Sequence, residues 1–122
     1  MSFLILLAYR ELLLCGHFLR RKDFATLHER VRTCRTNTAR RYSTEQVCQA
    51  LDMACIWYPK HVLCLQRSSA ATRLLRRSGI AAEMVLGAQL LPFRAHAWIE
   101  VDGAVVNDKP YVHEIYQVLD RC

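Results

Sequence analysis

The chain has 122 residues, of which 52% are apolar and 23% are charged. This composition excludes a disordered or fibrous polypeptide, and the length is enough for one domain with its own apolar core. The formal net charge of +6 is carried mostly by arginine, which favours acidic peptides or nucleic acid as partners without choosing between them.

Residues 3–19 are predicted to form the first helix. Apolar residues at positions 3, 6, 7, 13, 14 and 18 have helical spacing, which predicts that this face packs in the core. Arg10 and Glu11 interrupt the apolar run before it reaches the roughly 20 residues of a transmembrane span, so no such span is expected. A helix on a membrane surface is the alternative, although such helices usually have a strongly charged polar face.

A second helix is predicted over about residues 24–33. Asp23 is placed to cap it, and Phe24, Leu27 and Val31 fall on one face. The residues that follow, 34–42, are polar and aperiodic, which makes them the candidate linker.

The third predicted helix opens with a capping box. Ser43 is its N-cap and Gln46 stands three residues on, and the helix has to stop before Pro59. A fourth helix is predicted over residues 64–77, with Gly79 suited to its C′ position.

The pattern then changes from helices to strands. Strands are predicted over residues 82–89 and 95–100, and Asp102-Gly103 is a two-residue hairpin signal that leads into a short strand at 104–106. The tail after Pro110 is predicted to be a loop with a short helix or strand. Helices first and strands afterwards indicate an α+β domain.

The six cysteines are predicted to be reduced thiols. No Cys-x-x-Cys pair of the kind that zinc ribbons use is present, and the N-terminus lacks the basic start and cleavage site of a secretory signal. We therefore expect a cytoplasmic location, no metal site and no disulfide framework.

Three residues have the local contexts that a thiol nucleophile, its base and the group that orients the base would need. Cys64 begins the fourth helix, where free N–H groups and the helix dipole favour a thiolate. His96 and Asp108 lie six residues before and after Asp102 of the hairpin turn, so antiparallel pairing is expected to bring them side by side. Asp108, closing the short strand, would then fix the ring of His96, whose other nitrogen serves the sulfur.

Each residue also has an ordinary structural interpretation. A cysteine before a helix is usually a small buried residue, a histidine in a strand is usually structural, and an aspartate after a turn is usually a turn or cap residue. The combination favours catalysis, because papain-like cysteine proteases and transglutaminases use the same order of nucleophile, base and carboxylate. No cofactor is expected.

The residues around Cys64, His96 and Asp108 resemble the leader peptidase family of lasso-peptide biosynthesis, a bacterial family of transglutaminase-like cysteine proteases. The resembling stretches are residues 58–59, 64–68, 74–80, 92–103 and 106–108. The resemblance implies that the three residues are the catalytic triad. It also implies an α+β, papain/transglutaminase-like fold in which N-terminal helices precede a nucleophile helix packed on a small antiparallel sheet.

The resemblance further implies a function and partners. The expected reaction is cleavage of the leader from a ribosomally made precursor peptide, which frees the core N-terminus for macrolactam formation. We expect one protease domain over residues 1–122, with a helical N-terminal part at 1–42 and the catalytic core at 43–122. That length leaves no room for a fused recognition domain, so a separate leader-binding recognition-element protein is the expected partner, together with an asparagine-synthetase-like cyclase.

Two other functions remain open at the level of sequence. A transglutaminase or amidase would use the same triad with a different acceptor. An arginine-rich nucleic-acid-binding module fits the charge, but no aromatic-basic RNA motif, zinc site or clear helix-turn-helix is present, so no nucleic-acid partner is expected. The cluster Arg20-Arg21-Lys22 and the apolar first helix are candidates for docking a protein partner or an acidic leader.

Overall fold

The chain folds into helices followed by a four-stranded antiparallel sheet, which confirms the predicted α+β class. The structure is a computed structural model that describes residues 2–122; Met1, the first residue of the predicted 1–42 part, lies outside them. The elements are α1 (Ser2–Arg20), α2 (Phe24–Arg32), α3 (Thr44–Trp57), α4 (Cys64–Arg77), β1 (Ala82–Leu90), β2 (Phe93–Val101), β3 (Ala104–Val106), α5 (Val112–Ile115) and β4 (Gln117–Arg121). The strand order in the sheet is β3-β2-β1-β4.

Side-chain and glycine caps set the ends of the helices, as the sequence predicts. Asp23 accepts a hydrogen bond from the backbone N–H of Thr26 at the start of α2. Ser43 and Gln46 exchange both bonds of the capping box that opens α3. Gly79 follows α4 with a φ of +91°, a backbone conformation that glycine adopts without steric cost.

The buried face of α1 differs from the predicted one. Phe3 and Leu6 were expected in the core, yet 64% and 68% of their surface is exposed, and Leu13 is exposed as well. The buried side chains are Leu4, Ala8, Glu11, Leu12 and Cys15, while the predicted Leu7 and Phe18 are partly buried against the same core. Because α1 is apolar on most sides, spacing alone does not determine which face is buried. The buried face carries Glu11, whose carboxylate forms an ion pair with Arg73 of α4. No helix within residues 2–122 is both long and apolar enough to cross a membrane.

A similar correction applies to α2. Leu27 and Val31 are buried as predicted, but Phe24 is exposed at the first turn of the helix. Part of the Phe24 side chain lines a small cavity with Leu65 and Met84 instead of entering the core.

The predicted N-terminal part and the rest of the chain share one apolar core. Leu4 and Leu12 of α1 pack in the same cluster as Leu51 of α3 and Leu75 of α4. The linker, residues 34–42, is irregular as predicted, but its backbone is bonded to the end of α4: the Asn37 and Arg41 N–H groups donate to the carbonyls of Arg76 and Ser78.

The tail contains both a short helix and a strand. After α5, β4 pairs antiparallel with β1 and becomes an edge of the sheet, and the pairing continues to Cys122, whose backbone exchanges two hydrogen bonds with Met84. This return along β1 carries Tyr116, between α5 and β4, onto the sheet.

Glu11 is a buried charge that joins α1 to α4. Its carboxylate accepts from Arg73 Nε at 2.9 Å and from Arg77 at 3.2 Å, and only 2% of its side chain is exposed. Burial of the carboxylate is tolerated because two guanidinium groups compensate it.

Replacing Glu11 with alanine is expected to lower the free energy of unfolding by about 3 kcal/mol, since the largely buried Arg73 then loses its ionic partner. Urea unfolding measures the difference. Glu29→Ala, which removes the exposed ion pair with Arg32, is the control and should have little effect. Equal losses in the two variants would contradict the assignment.

Candidate active site

Cys64 is the first residue of α4, and its side chain is exposed. Leu63 at the N-cap is extended and provides no side-chain cap, and the first backbone bond of the helix runs from Arg67 N to Leu63 O. The N–H groups of Cys64, Leu65 and Gln66 therefore have no acceptor within the helix. These free donors and the helix dipole favour an anion at this end of α4.

The turn after Cys64 is bonded to the strand that carries His96. Ser68 is buried, and its hydroxyl donates to the carbonyl of Ala97, the residue after His96, at 3.0 Å. Gln66 fixes the other side of α4 by donating to the carbonyl of Leu12 in α1 at 2.9 Å. The first two turns of α4 are thus held against β2.

His96 and Asp108 are in direct contact. The distance from His96 Nε2 to Asp108 Oδ2 is 2.7 Å, and about a quarter of each side chain is exposed. Asp108 does not close β3 as predicted, because the β2–β3 ladder ends at the pair Ile99 and Val106. The chain bends at Asn107, where φ is +60°, and this bend brings Asp108 to His96.

Aromatic rings hold the imidazole of His96 from the side. The ring stacks on Tyr116 with centroids 5.1 Å apart and on Trp98 with centroids 6.1 Å apart. Trp98 donates from Nε1 to Glu100 at 3.0 Å, so the indole is itself fixed. Gly87 faces His96 across the β1–β2 pair, and a Cβ there would lie 2.7 Å from the Trp98 ring. With Nε2 bonded to Asp108, Nδ1 is the ring nitrogen available to another partner.

Cys64, His96 and Asp108 line one cavity of about 310 Å³, together with Arg67 and Asn107. The structure therefore brings all three predicted site residues to the same place. It also adds Arg67, Asn107 and the stacked Tyr116. Arg67 and Asn107 stand in the resembling stretches 64–68 and 106–108, but no role was predicted for them or for Tyr116, because their relation to the site depends on contacts distant in sequence.

A larger cavity, of about 420 Å³, has different chemistry. It lies between α1, the 34–42 segment and the end of α4, and four arginines line it: Arg10, Arg35, Arg41 and Arg77. No cysteine or histidine is among its lining residues, so it offers positive charge but neither a thiol nor an imidazole.

The other five cysteines are buried or half-buried, and four of them have raised pKa values. The fifth, Cys34, is half-buried, and its thiol donates to the carbonyl of Arg73. Burial raises the pKa of Cys15 to about 12 and that of Cys48 to about 11. Burial also raises the pKa values of Cys55 and Cys122. Cys64 is the exposed thiol among the six, all of which are unpaired in the described part of the chain.

A second cluster of titratable residues lies outside the Cys64 cavity. His28 Nε2 is 2.7 Å from Asp120 Oδ2, and Cys122 completes a group whose ligand atoms lie within 4.8 Å of one another. These groups could hold a metal ion. Sequence spacing did not reveal them, because α2 and β4 meet only in the folded chain, and the predicted absence of a metal site remains a prediction.

Residues 6–121 match the family model of the transglutaminase-like superfamily. The chain belongs to this superfamily. Over 56 residues, or 46% of its length, it is 39% identical to the microcin J25-processing protein McjB of Escherichia coli. That match covers 27% of McjB, so the chain spans well under half of this relative. No solved structure matches the chain.

At pH 8, iodoacetamide is expected to modify Cys64 first and Cys48 much more slowly. A pKa of about 11 leaves Cys48 with about one thiolate in a thousand at this pH, against about one in ten at the ordinary value of 9.0. Peptide mass spectrometry over a time course gives both rates. Faster modification of Cys48 than of Cys64 in the folded protein would contradict the burial described above.

Proposed function

We propose that the chain is a cysteine peptidase that cleaves the leader from a lasso-peptide precursor, with Cys64, His96 and Asp108 as its triad. The observation that supports this most directly is the 2.7 Å contact between His96 Nε2 and Asp108 Oδ2 in the cavity that Cys64 also lines. Membership of the transglutaminase-like superfamily supports the chemistry. The similarity to a microcin J25-processing protein supports the substrate class.

The first half of the reaction is acylation of Cys64. Its thiolate attacks the carbonyl carbon of the last leader residue, and the carbonyl oxygen becomes an oxyanion. The backbone N–H of Cys64, free at the start of α4, is the natural donor to that oxyanion. The His96 imidazolium then gives its Nδ1 proton to the departing core amine, the C–N bond breaks, and a thioester to the leader remains.

The second half is hydrolysis of the thioester. Neutral His96 takes a proton from water, whose oxygen attacks the thioester carbonyl, and the C–S bond breaks to release the leader acid and regenerate the thiolate. Throughout, Asp108 fixes the imidazole tautomer and stabilises the imidazolium.

An acyl transfer to an amine would use the same nucleophile and base. Membership of the transglutaminase-like superfamily is compatible with transfer to an amine, because activation of the sulfur is the same in both reactions and only the acceptor differs. The product decides between them: hydrolysis adds one water to the leader, whereas transamidation joins the leader to the amine.

Replacing Cys64 with alanine is expected to abolish cleavage of a leader–core precursor supplied with its recognition partner, since no other exposed thiol lies in the described chain. Mass spectrometry of the products measures cleavage. Cys48→Ala is the matched control and should stay active, because the Cys48 thiol is partly buried with a pKa of about 11. Full cleavage by the Cys64→Ala variant would reject the proposed function.

The partner-binding surface is the second part of the proposal. The 420 Å³ cavity carries Arg10, Arg35 and Arg41, none of which has an ion-pair partner in residues 2–122, and the exposed Phe3 of α1 also lines it. This mixture of positive and apolar groups suits an acidic, partly apolar peptide segment, such as a leader or a recognition-element protein. We place this assembly in the cytoplasm, where a nucleophilic thiol stays reduced, and expect the core peptide to pass on to a cyclase.

Changing Arg10, Arg35 and Arg41 together to serine is expected to weaken binding of the recognition partner at low salt by about tenfold or more, because three attractive charges are lost. Isothermal titration calorimetry gives the Kd. The matched control changes Arg20-Arg21-Lys22, an exposed cluster of equal charge at the other end of α1. A larger loss in the control would move the docking surface to that end.

A further inference from the structure

Arg67 connects three elements around the candidate site. It lies on α4 one turn after Cys64, so both side chains are on the same face of the helix. Its guanidinium forms an ion pair with Asp52 on α3 and donates to Asn107 Oδ1 at 3.0 Å. Arg67 thus ties the segment after β3 to two helices.

The chain bends at Asn107, and this bend brings Asp108 into contact with His96. The φ of +60° at Asn107 lies in the left-handed region, which asparagine tolerates better than most residues. The next residue, Asp108, bonds to His96 with Oδ2 and accepts from the Lys109 N–H with Oδ1 at 2.7 Å. Any movement of the Asn107 bend therefore moves the carboxylate that orients the imidazole.

The orientation of the Asn107 amide follows from its partner. Arginine can only donate, so the amide turns its oxygen to Arg67. The amide nitrogen is then buried with no acceptor in the described chain, as is Arg67 Nε. A buried donor without an acceptor lowers stability.

Local stability would favour aspartate at position 107. Aspartate has nearly the same shape and tolerates a positive φ, and its carboxylate accepts from Arg67 as a charged partner. It also has no side-chain N–H of its own to leave unpaired. A carboxylate there would, however, stand next to Asp108 and line the same cavity as the thiol of Cys64. It would compete for the imidazole and disfavour negative charge on the sulfur.

We propose that Arg67 is a positioning residue that acts through Asn107, and that the site requires a neutral side chain at position 107. The hydrogen bond from Arg67 fixes the Asn107 amide, and the fixed amide stabilises the bend at Asn107. The bend keeps the Asp108 carboxylate in contact with His96. This inference rests on the proposed function of the Cys64, His96 and Asp108 site.

The first experiment compares Asn107→Asp with the unchanged protein. The melting temperature should be equal or higher, while kcat for precursor cleavage should fall at least about tenfold with little change in KM, because orientation and charge at the base are altered rather than substrate binding. A kcat within twofold of the unchanged protein overturns the inference. So does a loss of activity that accompanies a lower melting temperature.

The second experiment tests whether Arg67 acts through Asn107. The variants are Arg67→Met, Asn107→Gly, which keeps the positive φ accessible, and the two combined. If they act in one chain of contacts, each single variant loses about tenfold in kcat and the double variant is no worse than the poorer single one. If the fold-losses in kcat of the two single variants multiply in the double variant, the two residues act independently and the inference is overturned.

Arg73→Met is the matched control for Arg67→Met. Arg73 is on the same helix and is also ion-paired, but it contacts Glu11 and does not line the Cys64 cavity. It should lower the melting temperature and leave kcat of the remaining folded protein within about twofold. An equal loss of kcat in this control would mean that Arg67 acts only on the fold.

Modification of Cys64 by iodoacetamide distinguishes a failure of the positioning role from a failure of the proposed function. The rate at which iodoacetamide modifies Cys64 across pH 5–9 reports on its pairing with His96 without any substrate. If Cys64→Ala still cleaves the precursor, the proposed function fails, while an altered modification profile in Asn107→Asp would still support the positioning role. If Cys64→Ala is inactive and the Arg67 and Asn107 variants match the unchanged protein in both assays, only the positioning role fails.

Discussion

The site depends on the packing of the first two turns of α4 against β2. One buried hydrogen bond, from the Ser68 hydroxyl to the Ala97 carbonyl, links the helix that begins with Cys64 to the strand that carries His96. Serine is small enough to let the helix approach the strand closely, and the bond gives its buried hydroxyl a partner. Without this packing, the Cys64 thiol and the His96 imidazole would not line the same cavity.

The two ends of α4 differ in their electrostatics. At the N-terminus no side chain caps the helix, so free N–H groups face the exposed thiol. At the C-terminal half, Arg73 and Arg77 compensate the buried carboxylate of Glu11, which fixes α1 against α4. One helix therefore holds the fold at one end and favours an anion at the other.

Two groups constrain the imidazole of His96 directly: Asp108 bonds one ring nitrogen, and Tyr116 stacks on the ring. The bend at Asn107, which precedes Asp108, is in turn bonded to Arg67 of α4. Such constraint matters for acid–base chemistry, because a misdirected ring loses the alignment that proton transfer needs. The unpaired amide nitrogen of Asn107 has a local cost in stability, which is understandable where a second carboxylate would harm the site.

The sequence by itself determined the elements from α1 to β3 and the three residues of the candidate triad. Capping by Ser43, the stop at Gly79 and the Asp102-Gly103 turn depend on backbone groups only a few residues away, so local patterns reveal them. Only the tertiary structure decided which face of α1 is buried, how Asp108 leaves the ladder, and that Arg67, Asn107 and Tyr116 surround the site. The reason is physical: these outcomes depend on contacts between residues far apart along the chain, whose partners are selected by the packing of the whole core and not by the spacing within one segment.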